Sequence, residues 1–221
     1  MGADIKTLRT RIKSVSSTRQ ITSAMGLVAS SKLRRAVINM ENTAGYLEAN
    51  ERIIKSLAQS PECKSSVFAS IRGGKTAVIA IAGDRGLAGG YNSSVFKILD
   101  EQDGAQIIPI GKKICERLGC SPVSSEKFSV GDAYALSDSL CRDFENGRYS
   151  EIKIVYTKYI SAFRQETVIK TIFPIGGDTN GKSVAVEFEP DALTVLNDAV
   201  REYSAAVILS AVRESFVCEL T

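Results

Sequence analysis

Two glycine-rich segments contain the residue types that bind phosphate groups in many proteins. The first, GGDTNGKS at 176–183, fits the phosphate-loop pattern G-x4-G-K-S. In that motif, backbone amides and a lysine hold phosphates at the N-terminus of a helix. Here the next residues, SVAVEFEP, are strand-like and end in a proline, so no helix is expected to begin at Lys182. We therefore interpret the match as a chance similarity in a surface turn, and we expect replacing Lys182 and Ser183 by alanine to have little effect.

The second segment, GDRGLAGGYN at 83–92, lies between a predicted strand and a predicted helix. It lacks the G-x-G-x-x-G spacing of dinucleotide-binding proteins and the lysine of the phosphate loop. The preferred interpretation is a tight turn, in which glycines permit positive φ angles and close packing. A nucleotide-binding α/β protein that uses the Gly83–Gly90 turn stays an alternative.

Histidine is absent from the sequence. The chain therefore has neither a Ser-His-Asp or Cys-His catalytic group nor a histidine-ligated zinc site. The five cysteines form no C-x-x-C pair, and we interpret them as reduced, mostly buried thiols. No catalytic residue, cofactor or metal site is expected. The cysteines are Cys63, Cys115, Cys120, Cys141 and Cys218.

The first forty residues combine an apolar seam with a high positive charge. Eight lysines and arginines against one aspartate give this stretch a net charge of +7, although the whole chain has only +3. Apolar residues spaced three and four apart predict a helical face that packs against another helix. A basic helix suits nucleic acid, an anionic membrane surface or an acidic protein surface, and a nucleic-acid binder stays an alternative. The seam consists of Ile5, Leu8, Ile12, Val15, Ile21, Met25 and Val28, followed by Leu33, Ala36 and Met40.

The remaining pattern predicts a helix, an α/β domain and a second helix. Apolar strands alternate with helices, which indicates a mainly parallel sheet, and two consecutive strands near residues 151–175 indicate an antiparallel edge pair. The predicted units are an N-terminal helix at 1–58, a linker at 59–74, an α/β domain at 75–188 and a C-terminal helix at 189–221.

Four segments of the sequence are distinctive: RIKSVSSTRQITSAMGLVASSKLRRA, GDRGLAGGYNSSVFK, YTKYISAFRQETVI and EFEPDALTVLNDAVREYSAAVILSAVRES. Together, and in this order, they resemble the gamma subunits of F-type ATP synthases. The resemblance implies a non-catalytic rotor subunit of the central stalk that couples proton flow to ATP synthesis or hydrolysis. It also implies an antiparallel coiled coil of the N- and C-terminal helices, with an inserted Rossmann-like α/β foot domain.

The partners implied by the resemblance are the alpha and beta subunits of the catalytic head, the epsilon subunit and the membrane c-ring. The implied location is the cytoplasmic face of a bacterial plasma membrane, with the mitochondrial inner membrane and the thylakoid as alternatives. Carried over from the family motifs, the contact residues are Met25, Val28 and Lys32 in the shaft, Arg34 and Arg35 just below it, and Asp84, Arg85, Gly86, Gly89 and Gly90 in the foot.

Two departures from the family pattern have structural consequences. Gly26 stands where a longer side chain is usual, which costs a helix interior about 0.5–1 kcal/mol. The C-terminal helix of the family continues past the position of Thr221, so we expect the chain to make only the foot and the lower coil. Residues 33–58 would then pair with 191–221, whereas the apolar side chains from Ile5 to Val15 would have no internal partner.

Overall fold

The computed structural model describes residues 2–71, 73–86, 88–176 and 188–221, and it contains five α-helices and four strands in those ranges. A helix of 58 residues begins the chain, and at 1.5 Å per residue it is about 87 Å long. The elements in chain order are α1 (Gly2–Gln59), β1 (Lys75–Ile81), α2 (Tyr91–Asp100), β2 (Gln106–Ile110), α3 (Lys112–Leu118), α4 (Val130–Glu145), β3 (Tyr149–Ser161), β4 (Arg164–Phe173) and α5 (Ala192–Leu220).

The four strands form one mixed sheet in the order β2-β1-β3-β4. Strand β1 is parallel to both β2 and β3, because helices connect these strands along the chain. Strand β4 follows β3 through a short turn and pairs with it antiparallel, with Thr157 opposite Thr167. The predicted parallel sheet with an antiparallel edge pair is therefore confirmed.

Strand β1 is covered on both faces, which explains its continuous apolar sequence. The side chains of Ala77, Ile79 and Ile81 belong to the core that also contains α4 and α5. The alternate residues, Val78 and Ala80, pack in smaller clusters with residues of α2 and α3. The sheet thus separates two helical layers, and its β1 strand is in the centre of the domain.

Helices α1 and α5 pack against each other in antiparallel directions. Lys32 lies over the ring of Phe216, with 5.8 Å from Nζ to the ring centroid. Further along α1, the carbonyl oxygen of Asn39 accepts a hydrogen bond from the Arg213 guanidinium at 2.9 Å. Residue numbers therefore increase along α1 in the direction in which they decrease along α5, as in an antiparallel pair. The predicted pairing of the later part of the N-terminal helix with residues 191–221 is confirmed.

The same helix pair is tied to α4 by a shared carboxylate. The hydroxyl groups of Tyr46 in α1 and Tyr134 in α4 each donate a hydrogen bond to Glu202 Oε2 in α5, both at 2.6 Å. Within α5, the apolar stretch from Ala205 to Val212 is buried between these helices and the sheet. This burial explains why that part of α5 is apolar on all sides.

The segment at 59–74, where the sequence predicts a linker, packs closely against the domain. It contains two short 3-10 helices, Glu62–Ser65 and Val67–Ala69. Phe68 is buried, and its ring centroid lies 5.8 Å from that of Phe144 and 5.2 Å from that of Phe173. Residues 60–71 therefore contribute side chains to the core as well as connecting α1 to the domain.

Four of the five cysteines are buried, as the sequence predicts, whereas Cys120 is exposed; all five are free thiols. Among the described residues, no helix has both the length and the apolar character needed to cross a bilayer. The phosphate-loop match at 176–183 lies outside the described residues except for Gly176. The predicted extended piece at 184–188 lies outside them except for Phe188.

Candidate functional site

The first half of α1 presents an exposed apolar seam. Ile5, Leu8, Ile12 and Val15 are each more than half exposed. Further along the helix, Met25 is 66% exposed and Val28 is 68% exposed. The seam predicted from the sequence is therefore accessible over roughly the first 28 residues, and burial of such side chains is worth about 1.5–3 kcal/mol each.

Four hydroxyl side chains in the same part of α1 form hydrogen bonds within the helix. The hydroxyls of Thr10, Thr18 and Thr22 donate to the backbone carbonyl oxygens four residues earlier, at distances of 2.9–3.0 Å. Ser30 donates in the same way to the carbonyl oxygen of Gly26 at 2.9 Å. These bonds occupy the four hydroxyls within the helix, whereas the apolar and basic side chains of this half of α1 extend from it and can bind another molecule.

Lower on α1, a bridging carboxylate connects the helix to the glycine-rich turn. Glu126 forms an ion pair with Lys32 through Oε1. Its other oxygen, Oε2, lies 2.8 Å from Nη2 of Arg85. Glu126 thus brings together Lys32 and Arg85, two of the carried-over contact residues, although they are far apart in the sequence.

The carboxylate of Asp84 is enclosed by hydrogen-bond donors. Its Oδ1 accepts from the backbone N–H groups of Lys112 at 3.1 Å and Ser125 at 3.0 Å. Its Oδ2 accepts from the Ser124 hydroxyl and from the backbone N–H of Glu126 at 3.3 Å. Burial alone would raise the pKa of Asp84, but these hydrogen bonds outweigh it and lower the pKa below the ordinary value. Asp84 therefore fixes the turn to the start of α3 and to residues 124–126.

A second carboxylate, from α5, fixes the other side of the turn. Glu219 Oε1 accepts hydrogen bonds from the backbone N–H groups of Asp84 at 3.1 Å and Arg85 at 2.9 Å. Burial raises the pKa of Glu219, and these two hydrogen bonds offset only part of that rise. The N–H of Gly83 is bound by the side-chain oxygen of Asn92 at 2.9 Å. The amides of residues 83–85 are consequently occupied by protein groups and are not free to bind a phosphate.

The structure requires a glycine at some positions of the turn and would accept a side chain at others. A Cβ on Gly83 would lie 3.0 Å from Cδ of Glu219, which leaves no room for a side chain without a shift. Gly89 has a positive φ of 52°. Additional atoms at Gly86 and Gly90 would meet only ordinary contacts at 3.8 Å or more. The geometry therefore explains Gly83 and Gly89 by packing and backbone conformation, which supports the interpretation as a tight turn.

Arg34 and Arg35 are both exposed, next to the point where α1 meets the domain. Arg35 borders a cavity of about 260 Å³ between α1, α5 and residues 125–128, together with Asn39 and Arg213. The described residues include no group of three or more cysteine, aspartate or glutamate side chains that could bind a metal ion.

Sequence reasoning did not identify Glu126 and Glu219, which hold the turn in place. Glu219 is 134 positions from Arg85 in the sequence. Neither glutamate belongs to a recognisable motif, so only the packing of α5 against the sheet brings them to the turn. The one signal in the sequence is that Glu219 is a charged residue between Val217, Cys218 and Leu220, close to the end of the predicted C-terminal helix.

Comparison with known proteins identifies the family. A family model described as ATP synthase matches residues 4–221. The ATP synthase gamma chain of Clostridium acetobutylicum is 30% identical over 213 residues, which covers 90% of this chain and 76% of that protein. The gamma chain of Clostridium beijerinckii is 33% identical over 229 residues, covering 97% and 81% of the two chains.

Solved structures show the same fold. A chain in the central stalk and c-ring structure of the Tetrahymena thermophila mitochondrial ATP synthase has a TM-score of 0.63 at 19% identity, covering 90% of this chain and 94% of that one. A chain in the rotor of the Euglena gracilis mitochondrial ATP synthase has a TM-score of 0.57 at 17% identity, covering 100% and 88%. The chain therefore belongs to the ATP synthase gamma chain family.

Proposed function

We propose that this chain transmits torque between a membrane c-ring driven by proton flow and a catalytic head of alpha and beta subunits. In this proposal, the first half of α1 is the upper shaft, and the later part of α1 forms a coiled coil with α5. The Rossmann-like domain is the foot, which contacts the epsilon subunit and the c-ring. The complex would lie at the cytoplasmic face of a bacterial plasma membrane, and the gamma chain would take part in catalysis only through its partners.

The observation that carries this proposal is the contrast between the two halves of α1. The second half is anchored, with Ala36, Ile54 and Leu57 buried against α5 and the domain. The first half has an exposed apolar seam that includes Met25 and Val28. A helix without tertiary packing is marginally stable in water, so this half requires an external partner. A surrounding ring of subunits supplies such a partner on all sides.

The positive charge of the first half of α1 suits partner surfaces that are acidic and that bind it only weakly. The first forty residues have a net charge of +7, from eight basic residues and one acidic residue. Exposed ion pairs contribute little binding energy and are screened by salt, so a basic shaft can be attracted to acidic surfaces without being held in one orientation. In this proposal Lys32, Arg34 and Arg35 contribute to that attraction.

The foot residues have a supporting role in the proposal. Asp84 and Arg85 are fixed to α5 and to residues 124–126, and Glu126 links Arg85 to Lys32 of the shaft. Torque that acts on the domain would therefore pass to both helices through polar contacts as well as through the apolar core. Gly86, Gly89 and Gly90 complete this turn and would allow a partner to approach its backbone closely.

A rotation experiment tests the proposal directly. The chain would be assembled with alpha and beta subunits from the same genome, the ring would be immobilised, and a bead would be attached at the exposed Cys120. We expect the bead to rotate when ATP is added. ATP hydrolysis by an intact complex with a stationary bead would contradict the proposal.

Equilibrium binding of ATP to the isolated chain separates this proposal from the nucleotide-binding alternative. We expect no binding, because the amides at residues 83–85 are bound to Asn92 and Glu219. Saturable binding that is lost when Gly89 is replaced would favour the alternative. The K182A/S183A variant serves as a control for the phosphate-loop match, and it should behave as the wild type.

A further inference from the structure

The C-terminal end of α3 brings two cysteines together. Gly119 is in the left-handed conformation, with φ 67°, and ends the helix. The N–H of Cys120 bonds to the carbonyl oxygen of Cys115 at 3.1 Å, and the N–H of Gly119 bonds to that of Glu116 at 3.4 Å. These two bonds define a Schellman motif, in which the side chains at the positions of Cys115 and Cys120 lie next to each other.

The two cysteines lie next to each other but in different environments. The Cys120 thiol lies 3.7 Å from the carbonyl oxygen of Cys115, to which it donates a hydrogen bond. Cys120 is exposed, whereas Cys115 is buried and accepts a hydrogen bond from the N–H of Val123 at 3.4 Å. An accessible thiol beside a protected one is the arrangement of an attacking and a resolving cysteine.

We propose that Cys115 and Cys120 form a reversible thiol–disulfide site that reacts with small disulfides. This inference does not depend on the proposed function, because it concerns the chemistry of the isolated chain. The helix cap already holds the residues side by side, so the bond requires rotation of the side chains and little movement of the backbone. Cys63, Cys141 and Cys218 are buried elsewhere in the fold, where their thiols contact Ala192, Ser204 and Thr157 respectively, so we do not expect them to react.

The reaction has two exchange steps. The Cys120 thiolate attacks one sulfur of a small disulfide, which forms a mixed disulfide and releases one small thiolate. The Cys115 thiolate then attacks Sγ of Cys120, which forms the internal disulfide and releases the second small thiolate. Two electrons pass from the protein thiols to the small disulfide, and the two protons pass to the released thiolates or to solvent.

The site is next to the segment that holds Asp84. Val123 donates to Cys115 through its N–H and accepts from the N–H of Gly111 at 2.9 Å through its carbonyl oxygen. The next residues, Ser124 and Ser125, bond to Asp84. Oxidation replaces the thiol acceptor of the Val123 N–H by a disulfide sulfur, which is a weaker acceptor. We therefore expect faster hydrogen exchange of the Val123 amide in the oxidised chain.

The test uses the full chain, incubated with glutathione disulfide and analysed by mass spectrometry without reduction. We expect the wild type to lose two hydrogens, to retain no glutathione, and to give a linked peptide that contains Cys115 and Cys120. The C115S variant should retain one glutathione on Cys120, and C120S should remain fully reduced. C141S is the matched control at a buried cysteine, and it should react as the wild type. A dithiol reductant should restore both thiols.

Three results would overturn the proposal. They are persistent glutathione on Cys120 of the wild type, an internal bond to a different cysteine, and oxidation of the C120S variant. Circular dichroism establishes that each variant is folded, and C115A replaces C115S if the serine variant does not fold. An unchanged exchange rate at Val123 after oxidation would contradict the link to the Asp84 segment.

Discussion

The carboxylate of Glu219 binds the backbone of Arg85, with 2.9 Å between Oε1 and the amide nitrogen. The same oxygen accepts from the amide of Asp84 at 3.1 Å, so the last turn of α5 holds the glycine-rich turn by two hydrogen bonds. Helix α5 also packs along the anchored half of α1. One helix is therefore attached both to the shaft and to the most distinctive turn of the domain.

Replacing Glu219 by alanine should destabilise the protein. The amides of Asp84 and Arg85 would lose their acceptor, and unsatisfied donors cost about 1–3 kcal/mol. The E219Q variant keeps an acceptor oxygen and should stay within about 1 kcal/mol of the wild type, because burial already disfavours the charge of Glu219. Urea unfolding gives the free energies, with E41A at an exposed position of α1 as the control. Equal stability of E219A and the wild type would contradict the role assigned to Glu219.

The hydrogen bonds to Asp84 should be visible in its titration. Because the folded-state pKa is lowered, Asp84 stabilises the protein above the ordinary pKa of about 3.9, and this contribution is lost as the pH falls through the lower folded value. We expect the side-chain carbonyl carbon of Asp84 to titrate in NMR below the midpoint of an unstructured aspartate. The difference in stability between the wild type and D84N should shrink over the same acidic range. A midpoint at or above the ordinary value would contradict the enclosed carboxylate.

The bridge through Glu126 should be weak and sensitive to salt. The side chains of Lys32, Glu126 and Arg85 are each about one-third exposed or more, so solvent screens their interactions. A double-mutant cycle with K32A and E126A should give a coupling energy of about 0.2–1 kcal/mol at low salt. At about 1 M salt, where the screening length is roughly 3 Å, the coupling should disappear. Coupling that persists at high salt would indicate packing between these side chains instead.

Neutralising Arg34 and Arg35 should weaken assembly with the catalytic subunits. Both residues are exposed, so solvent ions can screen their charges. At about 0.1 M salt the screening length is roughly 10 Å. The loss of affinity of the R34Q/R35Q variant, relative to the wild type, should therefore be larger at low salt than at about 0.1 M salt. R52Q is the matched control, because Arg52 is exposed on the anchored half of α1. Binding to the alpha and beta subunits can be measured across a salt series. A defect of equal size at every salt concentration would point to a packing role.

The order of elements could be predicted from the sequence because local patterns determine it. The apolar, β-branched run at 76–83 is typical of a strand covered on both faces, and Ala77 to Ile81 are buried accordingly. The consecutive strands near the end of the domain had to pair antiparallel, as Thr157 and Thr167 do. The start of α4 at Val130 is fixed by the reciprocal hydrogen bonds of Ser129 and Asp132.

The contacts that position the candidate site could not be predicted in the same way. Glu219 and Glu126 reach the turn only after the helices have packed, and no local spacing encodes those distances. The segment at 59–74 has the proline, serine and glycine content of a linker, yet Phe68 joins a buried aromatic cluster with Phe144 and Phe173. Composition indicated a linker at 59–74 but could not reveal that one of its apolar residues is buried in the core.

Amide hydrogen exchange, residue by residue, tests the central claim that the first half of α1 depends on an external partner. In a dilute monomer, amides from Ile5 to Val28 should exchange rapidly, whereas those of the buried positions Ala36 and Leu57 should be protected. Assembly with the alpha and beta subunits should protect the first set as well. Strong protection from Ile5 to Val15 in the dilute monomer would contradict the account, because the seam would already be satisfied without a partner.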